Sequence, residues 1–225
     1  MDDGFRFVRA LIDIPACDAL VEAIEASSRR REASSPNLRN LLREVPLVSA
    51  LAYSRCLLEA VTAATGSSGF PIRAILFDKT PETNWSLTWH QDLAIAVREH
   101  RDVPGFEGWS VKDGVPHVHP PAWVLESMVA VRIHLDDCPA ENGALMVLPG
   151  SHKEGKLDRQ AINRWKSSVE PVTCAANRGD ALLMRPLLLH SSKPAAEPSR
   201  RRVIHIEYTT RDLPKGLEWH ELGKP

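Results

Sequence analysis

The sequence predicts a mainly β protein whose first third is helical, with the helices packed on a β-sandwich or barrel. Apolar residues recur at helical spacing up to about residue 65. After Gly69, short β-type runs alternate with Pro, Gly, Asn and Asp. Many short strands separated by turn residues are typical of sandwiches and barrels. A chain of 225 residues with 43% hydrophobic content suits one domain with a sizeable core, and we expect residues 1–225 to form it.

Helices are predicted first along the chain. Residues 17–32 carry apolar side chains at the spacing of an amphipathic helix, and residues 37–65 repeat that pattern. Pro46 predicts a break between two helices in the second stretch, because proline lacks the backbone N–H that a helix interior requires. We therefore expect residues 1–68 to form a helical N-terminal support.

Strands are predicted for most of the remaining chain, with residues 157–167 as a helical insertion. Residues 98–123 are too polar and too rich in Pro, Gly and His to indicate a strand. A loop of that length inside a compact domain is usually functional or disordered, so we expect an active-site loop there. The predicted strands cover residues 71–78, 85–97, 124–135, 143–149, 169–175, 180–190 and 202–209.

Composition excludes several classes of function. The net charge of −1 and the pI near 6.8 provide no basic field for nucleic acid or an anionic membrane. The acidic start lacks the apolar segment of a signal peptide, and no stretch approaches the roughly 18 apolar residues of a membrane helix. Four widely spaced cysteines argue against a structural zinc site or a disulfide framework. We expect a cytoplasmic protein that binds a small molecule, and neither nucleic acid nor a membrane.

The tetrapeptide W-H-Q-D places His90 and Asp92 two residues apart. On a strand, residues i and i+2 point to the same face, so an imidazole and a carboxylate converge. They would supply two of the three ligands of the 2-His-1-carboxylate triad of non-haem iron oxygenases. About one His-x-acid triplet is expected by chance in this composition, so a surface strand pair remains an alternative.

A second histidine, His190, ends the apolar run L-L-L-H. Such a residue is either a satisfied core histidine or a ligand. The run G-D-A-L-L-M-R-P introduces its strand, and an arginine cluster follows after a short polar turn. This order predicts a hairpin that returns Arg201 to the neighbourhood of His190, with Ser192 on the same face as the histidine.

The last predicted strand has two unlike faces. The polar face suits a strand that lines a polar site, where an arginine can bind a carboxylate in bidentate fashion. An exposed edge strand with a basic end is the alternative. The polar face carries Arg201, Val203, His205 and Glu207, and the opposite face carries Arg202, Ile204, Ile206 and Tyr208.

Four segments, taken in order, resemble the phytanoyl-CoA dioxygenase family over about residues 70–210. They are W-H-Q-D, then V-R-I-H-L-D-D-C-P-A-E-N-G-A-L-M-V-L-P-G-S-H, then R-G-D-A-L-L-M-R-P-L-L-L-H-S-S, then R-R-R. The resemblance implies a double-stranded β-helix core, a jelly-roll like that of cupins, over 70–210. It also implies that His90, Asp92 and His190 bind iron.

The resemblance further implies a site for 2-oxoglutarate. In this family an arginine about eleven residues after the distal histidine binds the distal carboxylate of 2-oxoglutarate. That spacing selects Arg201, although Arg200 and Arg202 are close enough to remain alternatives. Ser192 resembles a hydroxyl position that helps to hold the same carboxylate. Because related halogenases replace the metal-binding carboxylate with a small residue, Asp92 implies a hydroxylase.

The function implied is that of an Fe(II)- and 2-oxoglutarate-dependent dioxygenase. It would use O2, with ascorbate as an activator, to hydroxylate a C–H bond of a small organic substrate with release of succinate and CO2. The alternatives are a cupin-like metalloenzyme that does not use 2-oxoglutarate and a non-catalytic binding relative. The sequence does not indicate the substrate.

Further pocket candidates lie in and beside residues 98–123. Cupins bind metals through an H-x-H pair such as His117 and His119, but the Pro-Pro that follows argues against a central strand. We therefore favour a lid or substrate contact for this pair. Trp109 and Trp123 flank it, and either cover an apolar substrate or pack the loop against the barrel.

Four more candidates precede or share predicted strands. Arg132 and His134 alternate with apolar residues on one strand, so their face either lines the pocket or meets solvent. Lys79 and Asn84 come just before the strand of His90. They either contact cosubstrate or substrate, or form a turn, which we favour.

Overall fold

The computed structural model describes residues 1–29, 37–196 and 199–221. Its helices are α1 (Ile14–Arg29), α2 (Leu41–Glu44), α3 (Pro46–Ala52), α4 (Arg55–Thr65), α5 (Ala122–Glu126) and α6 (Arg159–Ser168). Its strands are β1 (Phe5–Val8), β2 (Asn37–Leu38), β3 (Phe70–Lys79), β4 (Leu87–His90), β5 (Ile95–Ala96), β6 (Glu107–Lys112), β7 (Val115–His119), β8 (Met128–His134), β9 (Leu145–Val147), β10 (Val172–Cys174), β11 (Ala181–Met184), β12 (His190–Ser192) and β13 (Arg201–Thr209).

The strands form three antiparallel sheets. The first has the order β1-β11-β8-β13-β3-β2, the second β10-β9-β12-β4, and the third β5-β7-β6. Buried side chains of β8, β9, β10 and β11 pack together between the two larger sheets. The predicted class, mainly β with N-terminal helices on a double-stranded β-helix, is therefore confirmed.

The N-terminal helices cover the outer face of the six-stranded sheet. Apolar residues of α1 to α4 share one core with β3, β8, β11 and β13. The first helix begins at Ile14, three residues before the predicted start, and predicted positions 30–32 lie outside the described residues. The predicted break at Pro46 is confirmed, since Pro46 is the first residue of α3. The prediction of two helices in 37–65 was wrong, because the extended backbone of Ser54 makes a further break before α4.

Residues 98–123 are not the strand-free loop that the sequence predicted. They contain the hairpin β6–β7, whose turn places Asp113 and Gly114 at positive φ. β7 is the central strand of its sheet, so the argument from Pro120 and Pro121 was wrong. The two prolines end the strand after His119 and do not interrupt it.

Five of the seven predicted strands are shorter or divided, and residues 143–149 and 169–175 contain only the three-residue strands β9 and β10. Residues 122–126 form α5 and not the start of a strand. Residues 85–97 divide into β4 and β5, and residues 180–190 divide into β11 and the start of β12. Each division lies where the chain passes from one sheet to another.

The strand β13 lies in the middle of the six-stranded sheet, between β8 and β3. The alternative of an exposed edge strand was therefore wrong. Its apolar face, with Ile204, Ile206 and Tyr208, belongs to the core under the helices. The hydroxyl of Tyr208 donates to the carbonyl of Ala52 in α3 at 2.8 Å. The polar face consequently points into the jelly-roll.

No single helix of the described ranges has the length and apolar composition needed to cross a bilayer. Only α3 and α4 taken as one pair, bent by 47° at their junction, meet those two criteria.

Candidate active site

Two histidines and one aspartate converge where β4 meets β12. His90 ends β4, His190 begins β12, and the two residues are paired across the strands. Asp92 follows β4, where its backbone N–H donates to the carbonyl of Pro186 at 2.9 Å. One ligand atom from each of the three side chains lies within 4.8 Å of the others. The structure therefore brings the three predicted metal ligands together.

Both imidazoles are oriented by backbone carbonyls of their own strands. His90 Nδ1 lies 2.7 Å from the carbonyl of Thr88, and His190 Nδ1 lies 2.9 Å from that of Leu188. A carbonyl only accepts, so Nδ1 carries the proton and Nε2 keeps its lone pair. The two Nε2 atoms lie 3.9 and 3.7 Å from the carboxylate oxygens of Asp92. This donor set fits a divalent iron ion.

The charge states suit metal binding. Burial lowers the pKa of His190 to about 4, although the neighbouring Asp92 acts against the shift. Burial alone would raise the pKa of Asp92, but His190, His205 and His90 outweigh it, so the pKa lies below its ordinary value. At neutral pH, His190 is therefore neutral and Asp92 ionised, which are the forms that bind a metal.

A cavity of about 450 Å³ opens over these three side chains. Its wall combines charged and apolar groups, and most of the polar face of β13 contributes to it. Besides the triad, the lining residues are Arg39, Arg73, Ile75, Phe77, Trp85, Leu87, Gln91, Leu93, Ala94, Lys112, His119, Arg132, Leu145, Ser192, Arg201, His205 and Glu207.

The structure separates the three neighbouring arginines. Arg201 lines the cavity and is buried, whereas Arg200 and Arg202 face away and form ion pairs with carboxylates near α1. Arg201 Nη1 donates to the carbonyl of Gly143, and Ser192 Oγ donates to the same carbonyl at 2.9 Å. Arg201 Nε has no partner among the described residues. A buried guanidinium with a free donor in a cavity wall fits a carboxylate of 2-oxoglutarate.

A polar network continues along the cavity wall. Arg132 Nη1 donates to His205 Nδ1 at 3.0 Å, and His205 Nε2 lies 3.6 Å from Glu207 Oε1. Arg73 Nη1 donates to the same Oε1 at 3.3 Å. The sequence placed His205 and Glu207 on the polar face without a role, and it missed Arg73. The signal for Arg73 was a single charge inside the apolar run P-I-R-A-I-L-F.

The four candidate residues in 98–123 do not all line the cavity. His119 lines the cavity, whereas His117 is buried outside it, with Nδ1 2.9 Å from the carbonyl of Val115. Burial lowers the pKa of His117 to about 4. Trp109 packs on the core beneath the small sheet, in edge contact with His100. Trp123 is exposed on α5 and does not line the cavity.

Of the β8 pair, Arg132 lines the cavity and His134 does not. Both are buried, so the solvent-facing alternative was wrong. Burial, followed by the charge of Arg132, lowers the pKa of His134 to about 3. Neither ring nitrogen of His134 has a partner among the described residues.

Lys79 and Asn84 hold the chain that follows β12. Lys79 Nζ donates to the carbonyl of Lys193 at 3.1 Å, and the Asn84 side chain makes two hydrogen bonds to the backbone of Ala195. Of the two predicted roles, these hydrogen bonds agree better with a structural turn than with a contact to cosubstrate or substrate. Trp85, which the sequence analysis did not single out, lies in the cavity wall with its ring 5.5 Å from Lys79 Nζ.

A protein family and a curated protein each match more than two-thirds of this chain. The family Phytanoyl-CoA dioxygenase (PhyH) matches residues 15–203. The dioxygenase lolE1 of Epichloe uncinata is 25% identical over 161 residues, which cover 68% of this chain and 61% of that protein. The chain thus spans about three-fifths of the length of this curated relative.

Solved structures share the fold. AviO1 from Streptomyces viridochromogenes Tue57 superposes with a TM-score of 0.68 at 22% identity, covering 95% of this chain and 93% of that one. HygX from Streptomyces hygroscopicus, with nickel and 2-oxoglutarate bound, gives 0.68 at 18% identity, covering 94% and 87%. At these identities the likeness shows a shared fold. The family match covers most of the sequence, and the chain belongs to the phytanoyl-CoA dioxygenase family.

Proposed function

We propose that the protein is an Fe(II)- and 2-oxoglutarate-dependent dioxygenase that hydroxylates a C–H bond of a small organic substrate. One observation carries the proposal: a His–Asp–His cluster with both imidazole Nε2 atoms directed at the carboxylate, in a cavity that Arg201 also lines. Succinate and CO2 would be released, and ascorbate would act as an activator. The partner is a small molecule and the location cytoplasmic in this proposal, with no nucleic acid or membrane involved.

His90, Asp92 and His190 would hold the iron. Three ligands of this type leave the other coordination positions free for 2-oxoglutarate and O2. Iron held by these residues together with the two reactants would supply the oxidising chemistry. Asp92 supports a hydroxylase over a halogenase, because the carboxylate occupies the position that halide would need.

Arg201 and Ser192 would bind the C5 carboxylate of 2-oxoglutarate. The Arg201 guanidinium is buried, and its Nε has no partner among the described residues. The Ser192 hydroxyl lies close to it, because Ser192 Oγ and Arg201 Nη1 both donate to the carbonyl of Gly143. A charge-assisted hydrogen bond in a buried site is stronger than one in water. Arg200 and Arg202 are already paired with carboxylates outside the cavity, so we exclude them from this role.

The test is succinate formation by the purified protein given Fe(II), ascorbate, 2-oxoglutarate and O2. We expect slow turnover in the absence of the substrate and none in Asp92→Ala. The matched control is Asp102→Ala, because Asp102 also follows a histidine by two residues and its carboxylate is exposed outside the cavity. This control should behave like the wild type.

If no succinate forms, a binding measurement distinguishes the two alternative functions. If neither the wild type nor Asp102→Ala makes succinate, binding of 2-oxoglutarate is measured calorimetrically with Fe(II) under anaerobic conditions. Metal binding without 2-oxoglutarate binding would favour the cupin-like alternative. Loss of both would favour a non-catalytic relative.

A further inference from the structure

Glu207 is a buried carboxylate in the wall of the cavity that holds the triad, and neither the iron nor the 2-oxoglutarate role uses it. Glu207 as a whole is 8% exposed. It lies opposite Arg73 across β13 and β3, and opposite Ala130 across β13 and β8. An ionised carboxylate at such a position is costly unless its oxygens are hydrogen-bonded.

The donors around Glu207 all face one of its two oxygens. Arg73 Nη1 donates to Oε1 at 3.3 Å, and His205 Nε2 lies 3.6 Å from the same atom. Because Arg132 donates to His205 Nδ1, the proton of a neutral His205 is on Nε2, toward Glu207. Oε2 is buried and has no partner among the described residues.

The group that would satisfy Oε2 must donate a hydrogen bond. Arg73 also lines the cavity, and its guanidinium carries five N–H donors, of which one reaches Glu207. The Glu207 carboxylate and the Arg73 guanidinium therefore stand side by side in the cavity wall. A hydroxyl or a carboxamide matches them, because each can donate and accept at once.

The charge of the cavity selects a neutral group over a cation. Five arginine and lysine side chains line it, against the two carboxylates of Asp92 and Glu207. Fe(II) and 2-oxoglutarate carry opposite charges of equal size, so their binding would leave this excess unchanged. An ammonium group would enter a positive field and meet a carboxylate that Arg73 already neutralises.

We propose that Glu207 Oε2 accepts a hydrogen bond from the substrate, which carries a hydroxyl or carboxamide group that Arg73 also contacts. Glu207 is then a specificity-determining residue, and the substrate class is a polar neutral group on a small skeleton and not a plain acyl chain. This inference rests on the proposed function, because it places the substrate in the same cavity.

The experiment measures binding of matched probes to the protein loaded with Zn(II) and 2-oxoglutarate, by ligand-observed NMR. The donor probes are cyclohexanol and cyclohexanecarboxamide. Their capped partners, cyclohexyl methyl ether and the N,N-dimethyl amide, keep the skeleton but cannot donate, and cyclohexylamine is the cationic probe. We expect the wild type to prefer each donor probe by about tenfold, as for one hydrogen bond to a charged acceptor.

Glu207→Gln should reduce that preference to about threefold or less, because the amide keeps the shape but loses the charged acceptor. Affinities for Zn(II) and 2-oxoglutarate should stay unchanged. Glu218→Gln is the matched control, since Glu218 pairs with Arg98 at an exposed position outside the cavity. If Glu207→Gln does not fold, the double variant Arg73→Met/Glu207→Met removes both ends of the ion pair and leaves no unpaired charge.

Three results would overturn the inference. The first is the same affinity for donor and capped probes in the wild type, including no measurable binding of either. The second is tighter binding of cyclohexylamine than of cyclohexanol. The third is a lower unfolding midpoint in the Glu207 variant with an unchanged donor preference, which is the signature of a purely structural ion pair. Failure of the wild type to bind Zn(II) or 2-oxoglutarate would instead contradict the proposed function.

Discussion

Of the three His-x-Asp pairs in this chain, two lie ten residues apart, and only one of those two belongs to the candidate site. In His90-Gln91-Asp92 the imidazole Nε2 lies 3.9 Å from the carboxylate, and in His100-Arg101-Asp102 it lies 3.6 Å away. The second pair is therefore as close as the first. Spacing and proximity within the motif do not distinguish a metal site from a surface pair.

Their surroundings differ in three respects. The first pair meets His190 from a neighbouring strand, lines a cavity, and has its imidazole fixed by a backbone carbonyl. The side chain of Asp102 is fully exposed, and His100 instead contacts Trp109 edge-on. The first pair therefore differs from the second because His190, from a strand distant in sequence, joins it in a partly desolvated cavity wall.

Metal binding should depend on His190 and not on His100. His190→Ala should weaken Co(II) or Zn(II) binding by at least about 100-fold, because changes to outer partners of metal ligands alone cost ten- to a hundredfold. His100→Ala should leave metal affinity at the wild-type value. Equal metal affinities in the two variants, measured by competition with a chelator, would remove the triad from consideration.

The same contrast applies to the arginine run. Arg201→Met should raise the Kd for 2-oxoglutarate by roughly 10- to 100-fold, as for loss of charge-assisted hydrogen bonds. Arg200→Met should change it little, because Arg200 pairs with Glu25 and Asp78 away from the cavity. Calorimetry with Zn(II)-loaded protein measures both, and a larger loss in Arg200→Met would reverse our assignment.

Folding stability should depend on pH through His134, which is buried. His134 has a folded-state pKa of about 3 against an ordinary 6.5, so the unfolded chain binds a proton that the folded one rejects between those values. The free energy of unfolding should therefore fall as pH drops below about 6.5. His134→Leu should remove up to about 1.4 kcal/mol per pH unit from that slope. Urea unfolding of the metal-free protein between pH 4 and 7 measures it, with exposed His100→Leu expected to keep the wild-type slope.

The parts of the molecule predicted well were those that depend on local periodicity. The alternation along β13 correctly separated the face that lines the cavity from the face that carries Ile204, Ile206 and Tyr208, because period two follows from strand geometry. The motif order correctly identified the family and the jelly-roll. Arg201 was selected over its neighbours by spacing, and it is the member of the run that lines the cavity.

The parts predicted poorly depend on pairing between distant segments. The hairpin β6–β7 gains its order from the small sheet and the apolar core beneath it, which its polar composition does not indicate. Arg73 becomes a site residue only because β3 pairs with β13 in a register that sets it opposite Glu207. No local pattern encodes such a register between segments more than 130 residues apart.

The orientation of His90 and His190 by the carbonyl two residues earlier on the same strand has a consequence for how this site can change over generations. The groups that fix the two rings belong to the main chain, so no side-chain substitution deletes them. The cavity wall can therefore drift toward a new substrate without first rebuilding the support of the two imidazoles. Side chains that contact the substrate can therefore be substituted while the backbone carbonyls keep His90 and His190 in the same orientation.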